Sequence, residues 1–301
     1  MNADHADPAA ILDLASRHGL HLRPDSLRVN EMGLDFRVVL ARTTGGEDWV
    51  LRLPRRREVM GRAAVEDRVL SLIAPYLSVA VPDWQVHSRH LIAYPLLPGQ
   101  PGLEIDERGE VLWRVDPSSD NYARALGELI ADLHAIDRKL ALATGVTVRT
   151  PEQNRRAWRA DIARVSESFT VAPHLLARWK AWLDEDSYWP EHSVLTHGEL
   201  YPGHTMIEDE RITGVLDWTT ALIGDPARDF AVHRTLATRE AFDLTVDRYR
   251  RRGGRVWPRL ADHAAELAAA GPVSYGLYVL DTGDESQRGA AQAQLDPARE
   301  P

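Results

Sequence analysis

The sequence predicts an α+β chain of two lobes, a small N-terminal lobe of antiparallel strands with one helix and a larger, mainly helical C-terminal lobe. Three observations point there. Strand-like runs joined by tight turns fill much of residues 27–97, and a Pro98-Gly99-Gln100-Pro101-Gly102 cluster then interrupts them, as expected at a lobe boundary. From Asp120 onward, apolar residues recur at helical spacing. The lobes are accordingly expected at residues 1–97 and 98–301.

Composition narrows the function classes. A chain of 301 residues that is 44% hydrophobic can bury a sizeable core. No apolar run of about 18 residues is present and the first residues are acidic and polar, so neither a membrane span nor a signal peptide is expected, and the default compartment is cytoplasmic. The absence of cysteine excludes disulfides, thiolate metal sites and a thiol nucleophile. A net charge of −9 speaks against a nucleic-acid surface and is compatible with a cationic small molecule. Oligomeric state is not legible, with a monomer as the default.

In order along the chain, Ala9 to His18 reads as a short capping helix stopped by Gly19. Strands are predicted over Leu27–Met32, Asp35–Thr43 and Asp48–Pro54. The connection through Gly33 lies where kinase-like folds place the flap over the phosphates, although a single glycine also suits an ordinary hairpin. Arg52 interrupts an apolar strand, and Glu66 sits in the helical segment that follows. A strand cation facing a helix acid is the pair with which kinase-like folds aim positive charge at phosphates. Arg55 to Arg57 read as a solvated basic turn. Two further strands are expected over Val79–Val86 and His90–Leu97; in the second, Ala93, Tyr94, Pro95 and Leu96 form a hinge whose backbone would hold a nucleobase. Residues 103–119 look like an irregular charged insertion.

The helical half begins at Asp120 with an apolar face of Leu126, Leu129, Ile130 and Leu133, and His134 near its end reads as a hydrogen-bonded core histidine. A long helical region from Pro151 to Leu183 follows. Beyond Ala231 the chain is helical again, with a break at Gly253-Gly254, and residues 292–301 are expected to be a mobile tail.

The chemistry concentrates between Thr196 and Phe230. An apolar strand delivers His197-Gly198-Glu199, and a carboxylate at such a tip can orient an acceptor hydroxyl towards a γ-phosphate. Asp217, eighteen positions on, ends a short strand and would hold a divalent cation; His204 occupies the place of a second metal contact, though an imidazole is an unusual partner for Mg²⁺. Asp225 is expected to cap the next helix with Pro226 at its first position, and Asp229 to hold the Glu199 loop by hydrogen bonds.

The ordered set of these features resembles the aminoglycoside phosphotransferase-like kinases, and within them the macrolide 2′-phosphotransferases. The likeness is carried by Val29 to Arg37, Trp49 to Arg56, Val81 to Trp84, Ala93 to Pro95, Arg149 to Pro151, Thr196 to His204 and Gly253 to Leu260. It implies a protein-kinase-like two-lobed fold and Mg²⁺-dependent transfer of the γ-phosphate of GTP, with ATP as the alternative donor, to the 2′-hydroxyl of a macrolide's desosamine. Tyr201, Tyr275, Tyr278 and Asp281 are candidates for contact with the drug. The departure is Glu199, where the family pattern has Asp. Two alternatives therefore stand beside the macrolide kinase: a kinase of the same fold for another hydroxylated amine, and a nucleotide-binding pseudoenzyme.

Overall fold

The computed structural model describes residues 7–31, 35–106 and 109–297. The chain divides into two compact units: the described residues up to Arg114 together with Gly203–Thr219, and Val115–Pro202 together with the described residues from Thr220 onward.

The first unit holds α1 (Pro8–Arg17), β1 (Arg28–Asn30), β2 (Phe36–Arg42), β3 (Asp48–Pro54), α2 (Val59–Ile73), β4 (Val86–His87) and β5 (Ile92–Pro95). The strands form one antiparallel sheet in the order β1-β2-β3-β5-β4. β3 is buried at all its interior positions because both sheet faces are covered. On one face Val39, Ala41, Leu51 and Leu53 pack with Ile11 and Ala15 of α1; on the other Phe36, Val50 and Tyr94 pack with Val59 and Ala63 of α2. Alternation along β3 thus places Val50 and Arg52 on the α2 side.

A second sheet of this unit joins β6 (Gln100–Pro101), β10 (Thr205–Glu208) and β11 (Arg211–Val215). The Ala80 amide donates to the Thr213 carbonyl at 2.8 Å, so the late β10–β11 hairpin returns to the first unit, which the expected single cut at residues 97/98 did not include. Asp209 and Glu210 turn that hairpin with φ of 49° and 59°.

The second unit contains α3 (Asp120–His134), α4 (Arg138–Ala143), α5 (Pro151–Ser168), α6 (Pro173–Asp184), β9 (Val194–Thr196), β12 (Leu222–Gly224), α7 (Arg228–Leu236), α8 (Arg239–Arg251), α9 (Leu260–Ala269), α10 (Gly271–Thr282) and α11 (Arg288–Leu295). α3 packs on α8, α7 on α9, and α10 on α5 and α11. Thr150 and Gln153 cap α5 reciprocally, with Pro151 at its start.

Four expectations are corrected. Residues 103–119 are not wholly irregular: β7 (Leu103–Ile105) pairs with β8 (Val111–Trp113), and Glu104 binds Arg114 at 2.6 Å. Between Val79 and Val86 only Val86 reaches a named strand, Pro82 having no N–H to give a ladder. The supposed tail contributes α11, whose Leu295 is buried and accepts the Ala172 amide at 2.9 Å. α7 starts at Arg228 rather than at Pro226: Asp225 Oδ1 does accept the Ala227 amide, but residues 225–227 form a turn of i→i+3 bonds, the Arg228 amide reaching the Asp225 carbonyl at 3.2 Å.

Candidate active site

In the first unit, β3 carries Arg52 and α2 carries Glu66, with Arg52 Nη1 donating to Glu66 Oε1 at 2.7 Å; the residues are 7% and 3% exposed. The guanidinium also stacks on Phe36 at 4.1 Å and approaches Trp84 at 5.6 Å, contacts that suit its planar charge better than an ammonium. Burial works against the Arg52 charge, yet the Glu66 carboxylate holds its pKa above the ordinary value. Burial raises Glu66, and Asp217 adds to the rise against the pull of Arg52. Glu66 Oε2 is buried without a hydrogen-bond partner.

Asp217 follows β11 with φ of 57°, a left-handed conformation that costs a non-glycine residue energy and concentrates at functional positions. Its Oδ1 accepts from the Thr219 hydroxyl at 2.5 Å. His204 Nε2 lies 3.8 Å from Asp217 Oδ2, and the Leu216 amide donates to the His204 carbonyl at 2.8 Å, which fixes the two segments together. Arg52, Glu66 and Asp217 sum to one net negative charge around a single cation. Among the described residues no group of three His, Asp or Glu forms a metal site. The 42%-exposed Asp217 carboxylate nonetheless fits a hard cation that takes most of its ligands from phosphate and water.

At the hinge, Ala93 packs into the α1-side core, its carbonyl accepts the Gln85 amide at 3.0 Å, and the Leu96 amide donates to the Asp48 carbonyl at 2.8 Å. Pro95 has no N–H to offer. Tyr94 points to the opposite face; burial pushes its hydroxyl up to about 12, opposed by Arg52 and assisted by Glu66 and Asp217. Gly33 lies outside the described residues.

In the second unit, buried β9 delivers His197-Gly198-Glu199, with His197 fully buried and Glu199 exposed. Gly198 has φ of 95°, and a Cβ there would run into the Arg228 guanidinium, so only glycine fits the turn. Arg228 donates from Nη1 to Thr196 Oγ1 at 2.9 Å and from Nη2 to the Thr220 carbonyl at 3.2 Å. Burial pulls its pKa down, against the attraction of Asp229, Asp225 and Glu199. The Glu199 amide donates to His197 Nδ1 at 3.2 Å, and the Thr220 hydroxyl to the His197 carbonyl at 2.8 Å.

Asp229 is fully buried and accepts the amides of His197 and Gly198, one on each carboxylate oxygen. Its Oδ2 also meets His134 Nε2 at 3.0 Å, and His134 Nδ1 meets the Tyr249 hydroxyl at 3.0 Å. Burial tends to raise the Asp229 pKa, but His134, His197 and the Gly198 amide hold it below the ordinary value. Arg228 and Tyr249 received no role from sequence. A strictly placed glycine followed by a small-residue turn ending in Arg could have drawn attention to Arg228; nothing local marks Tyr249.

The acceptor-side candidates are dispersed. Tyr201 is partly buried two residues beyond Glu199, while Tyr275, Tyr278 and Asp281 share α10. There the Tyr275 hydroxyl donates to Gln287 Oε1 at 2.6 Å, and Asp281 pairs with Arg164 at 2.6 Å.

The first unit thus holds a buried Arg–Glu pair beside a strained aspartate, and the second an acid on a turn pinned from below by another aspartate. The chain belongs to the phosphotransferase enzyme family (APH), whose profile matches residues 26–263. Within it the chain is similar to macrolide 2′-phosphotransferases: MphH from Brachybacterium faecium, solved as the apoenzyme, is 56% identical with a TM-score of 0.90, the match covering 97% of this chain and 99% of that one. A type I macrolide 2′-phosphotransferase is 42% identical with a TM-score of 0.90 over 98% of both chains. YcbJ of Bacillus subtilis (strain 168) is 38% identical over 279 residues, 91% of each protein.

Proposed function

We propose that the protein inactivates macrolide antibiotics by transferring the γ-phosphate of GTP to the 2′-hydroxyl of the desosamine sugar. The observation that carries this reading is the likeness to macrolide 2′-phosphotransferases at 56% and 42% identity over nearly the whole chain. The geometry supports the roles. Glu199 accepts a hydrogen bond from the acceptor hydroxyl and takes its proton as the O–P bond forms. Arg52, aimed by Glu66 and by the Phe36 ring, binds nucleotide phosphate. Asp217, with His204 beside it, would hold Mg²⁺ on the phosphates, and the ion when bound would supply neutralisation of developing charge. The hinge from Ala93 to Leu96 lines the nucleobase, Gly33 belongs to the phosphate flap, and Asp229 steadies the Glu199 turn. Tyr201, Tyr275, Tyr278 and Asp281 are assigned to the macrolide side.

The test is a matrix of acceptors and donors. Purified protein with Mg²⁺ is given several macrolides, an aminoglycoside and choline, each with GTP or ATP, and the product is mapped by mass and NMR. Phosphate on the desosamine 2′-oxygen with GTP preferred is expected. Turnover of the aminoglycoside or choline alone, or phosphate at another hydroxyl, would refute the acceptor assignment.

A further inference from the structure

The catalytic turn is anchored to a hydrogen-bond chain that runs beyond Asp229. Asp229 sits at the start of α7 and receives the His197 and Gly198 amides. His134, the last residue of α3, bridges it to Tyr249 near the end of α8, with both ring nitrogens at 3.0 Å from their partners. Gly254 lies flat against the Tyr249 ring, where a Cβ would collide with it, and its amide donates to the Tyr249 carbonyl at 2.9 Å. His134 and Tyr249 are 8% and 1% exposed, so solvent does not substitute for these partners.

The donors fix the protons. The Asp229 carboxylate, which already holds two main-chain amides, can only accept, so the imidazole proton lies on Nε2 facing it and Nδ1 accepts the Tyr249 O–H. One chain therefore runs from Tyr249, held against the turn at Gly254, through His134 and Asp229 to the His197–Glu199 turn, across three helices of one unit. We propose that Tyr249 is a positioning residue for phosphate transfer, which through His134 and Asp229 ties the catalytic turn to the turn at Gly254. This rests on the phosphotransfer reading.

Tyr249→Phe keeps the ring against Gly254 and deletes only the hydroxyl. The expected result is a fall in kcat of about tenfold, the scale of one buried hydrogen bond, with the nucleotide KM within about twofold of wild type. His134→Gln retains an amide donor towards Asp229 but has no acceptor at the ring Nδ1 position that Tyr249 meets, so the double variant should be no slower than the slower single one. Thermal unfolding of each variant is recorded alongside. Nitrogen-15 NMR of the His134 ring supplies a readout independent of turnover: the neutral tautomer with its proton on Nε2 is expected in the wild type and not retained as the sole form in Tyr249→Phe. An unchanged kcat in Tyr249→Phe, multiplicative effects in the double variant, or a proton on Nδ1 in the wild type would overturn the proposal. A wild type without turnover on any acceptor would sink the phosphotransfer reading instead, and the NMR result would still decide whether the chain exists.

Discussion

Glu199 stands at the tip of a turn whose backbone is held from three sides: by Asp229 at the amides of His197 and Gly198, by Thr220 at the His197 carbonyl, and by the Arg228 guanidinium beneath Gly198. On the proposed reading, a base on so fixed a turn cannot follow its substrate. The carboxylate position is set by side-chain length, and Glu199→Asp withdraws it by about one C–C bond. A loss in kcat of about tenfold to a hundredfold is expected, with folding unaffected, as measured by steady-state kinetics and circular dichroism. Arg52 behaves differently because it is buried with a carboxylate. Arg52→Gln leaves Glu66 without its cation and, on the proposed reading, removes a charge-assisted phosphate contact. The nucleotide KM should rise about tenfold or more, and stability should drop by about 3 kcal/mol, readable by nucleotide titration and denaturant melts.

At the scale of elements, the loop–helix junction is the sensitive one. Asp229→Asn replaces one acceptor with an NH₂ group facing a main-chain N–H, a donor–donor contact costing about 1–3 kcal/mol in a site closed to water. Transfer should slow while nucleotide affinity stays, because Arg52 and Asp217, proposed to hold the phosphates, belong to the other unit. Elements with strong local signals were legible: the β2–β3 ladder from alternating apolar residues, a helical region from Pro151 to Leu183 that the structure divides into α5 and α6, and the Arg52–Glu66 pair from one strand and the next helix. Short strands with mixed charge, such as Leu103–Ile105, carry too few residues for a period to show. α11 is rich in Ala and Gln and takes its stability from burying Leu295, a tertiary contact no local window contains. The His134 links are illegible for the same reason, since their partners lie 95 and 115 positions away in sequence.

At the scale of the whole molecule, buried ionisable groups set the response to pH. His233 is fully buried, with Nε2 on Thr245 Oγ1 at 2.9 Å, and burial pushes its pKa down to about 4 from 6.5. The unfolded chain therefore binds a proton near pH 6.5 that the folded chain refuses until about pH 4. Stability present above pH 6.5 should be lost progressively as pH falls through that window, by about 3 kcal/mol at the lower end. His233→Gln should flatten that part of the profile in urea melts taken from pH 7 to pH 4. The architecture itself follows the kinase pattern of a sheet-based unit and a helical unit. The division of labour assigned to Arg52, Asp217 and Glu199 depends on Glu199 being a working base. Single-turnover phosphorylation of a macrolide by excess protein with GTP and Mg²⁺, in wild type and Glu199→Gln, tests that claim most directly. The account predicts phosphorylated macrolide from the wild type and a rate at least about 10²-fold lower from the variant; equal rates, or no product from either, would contradict it.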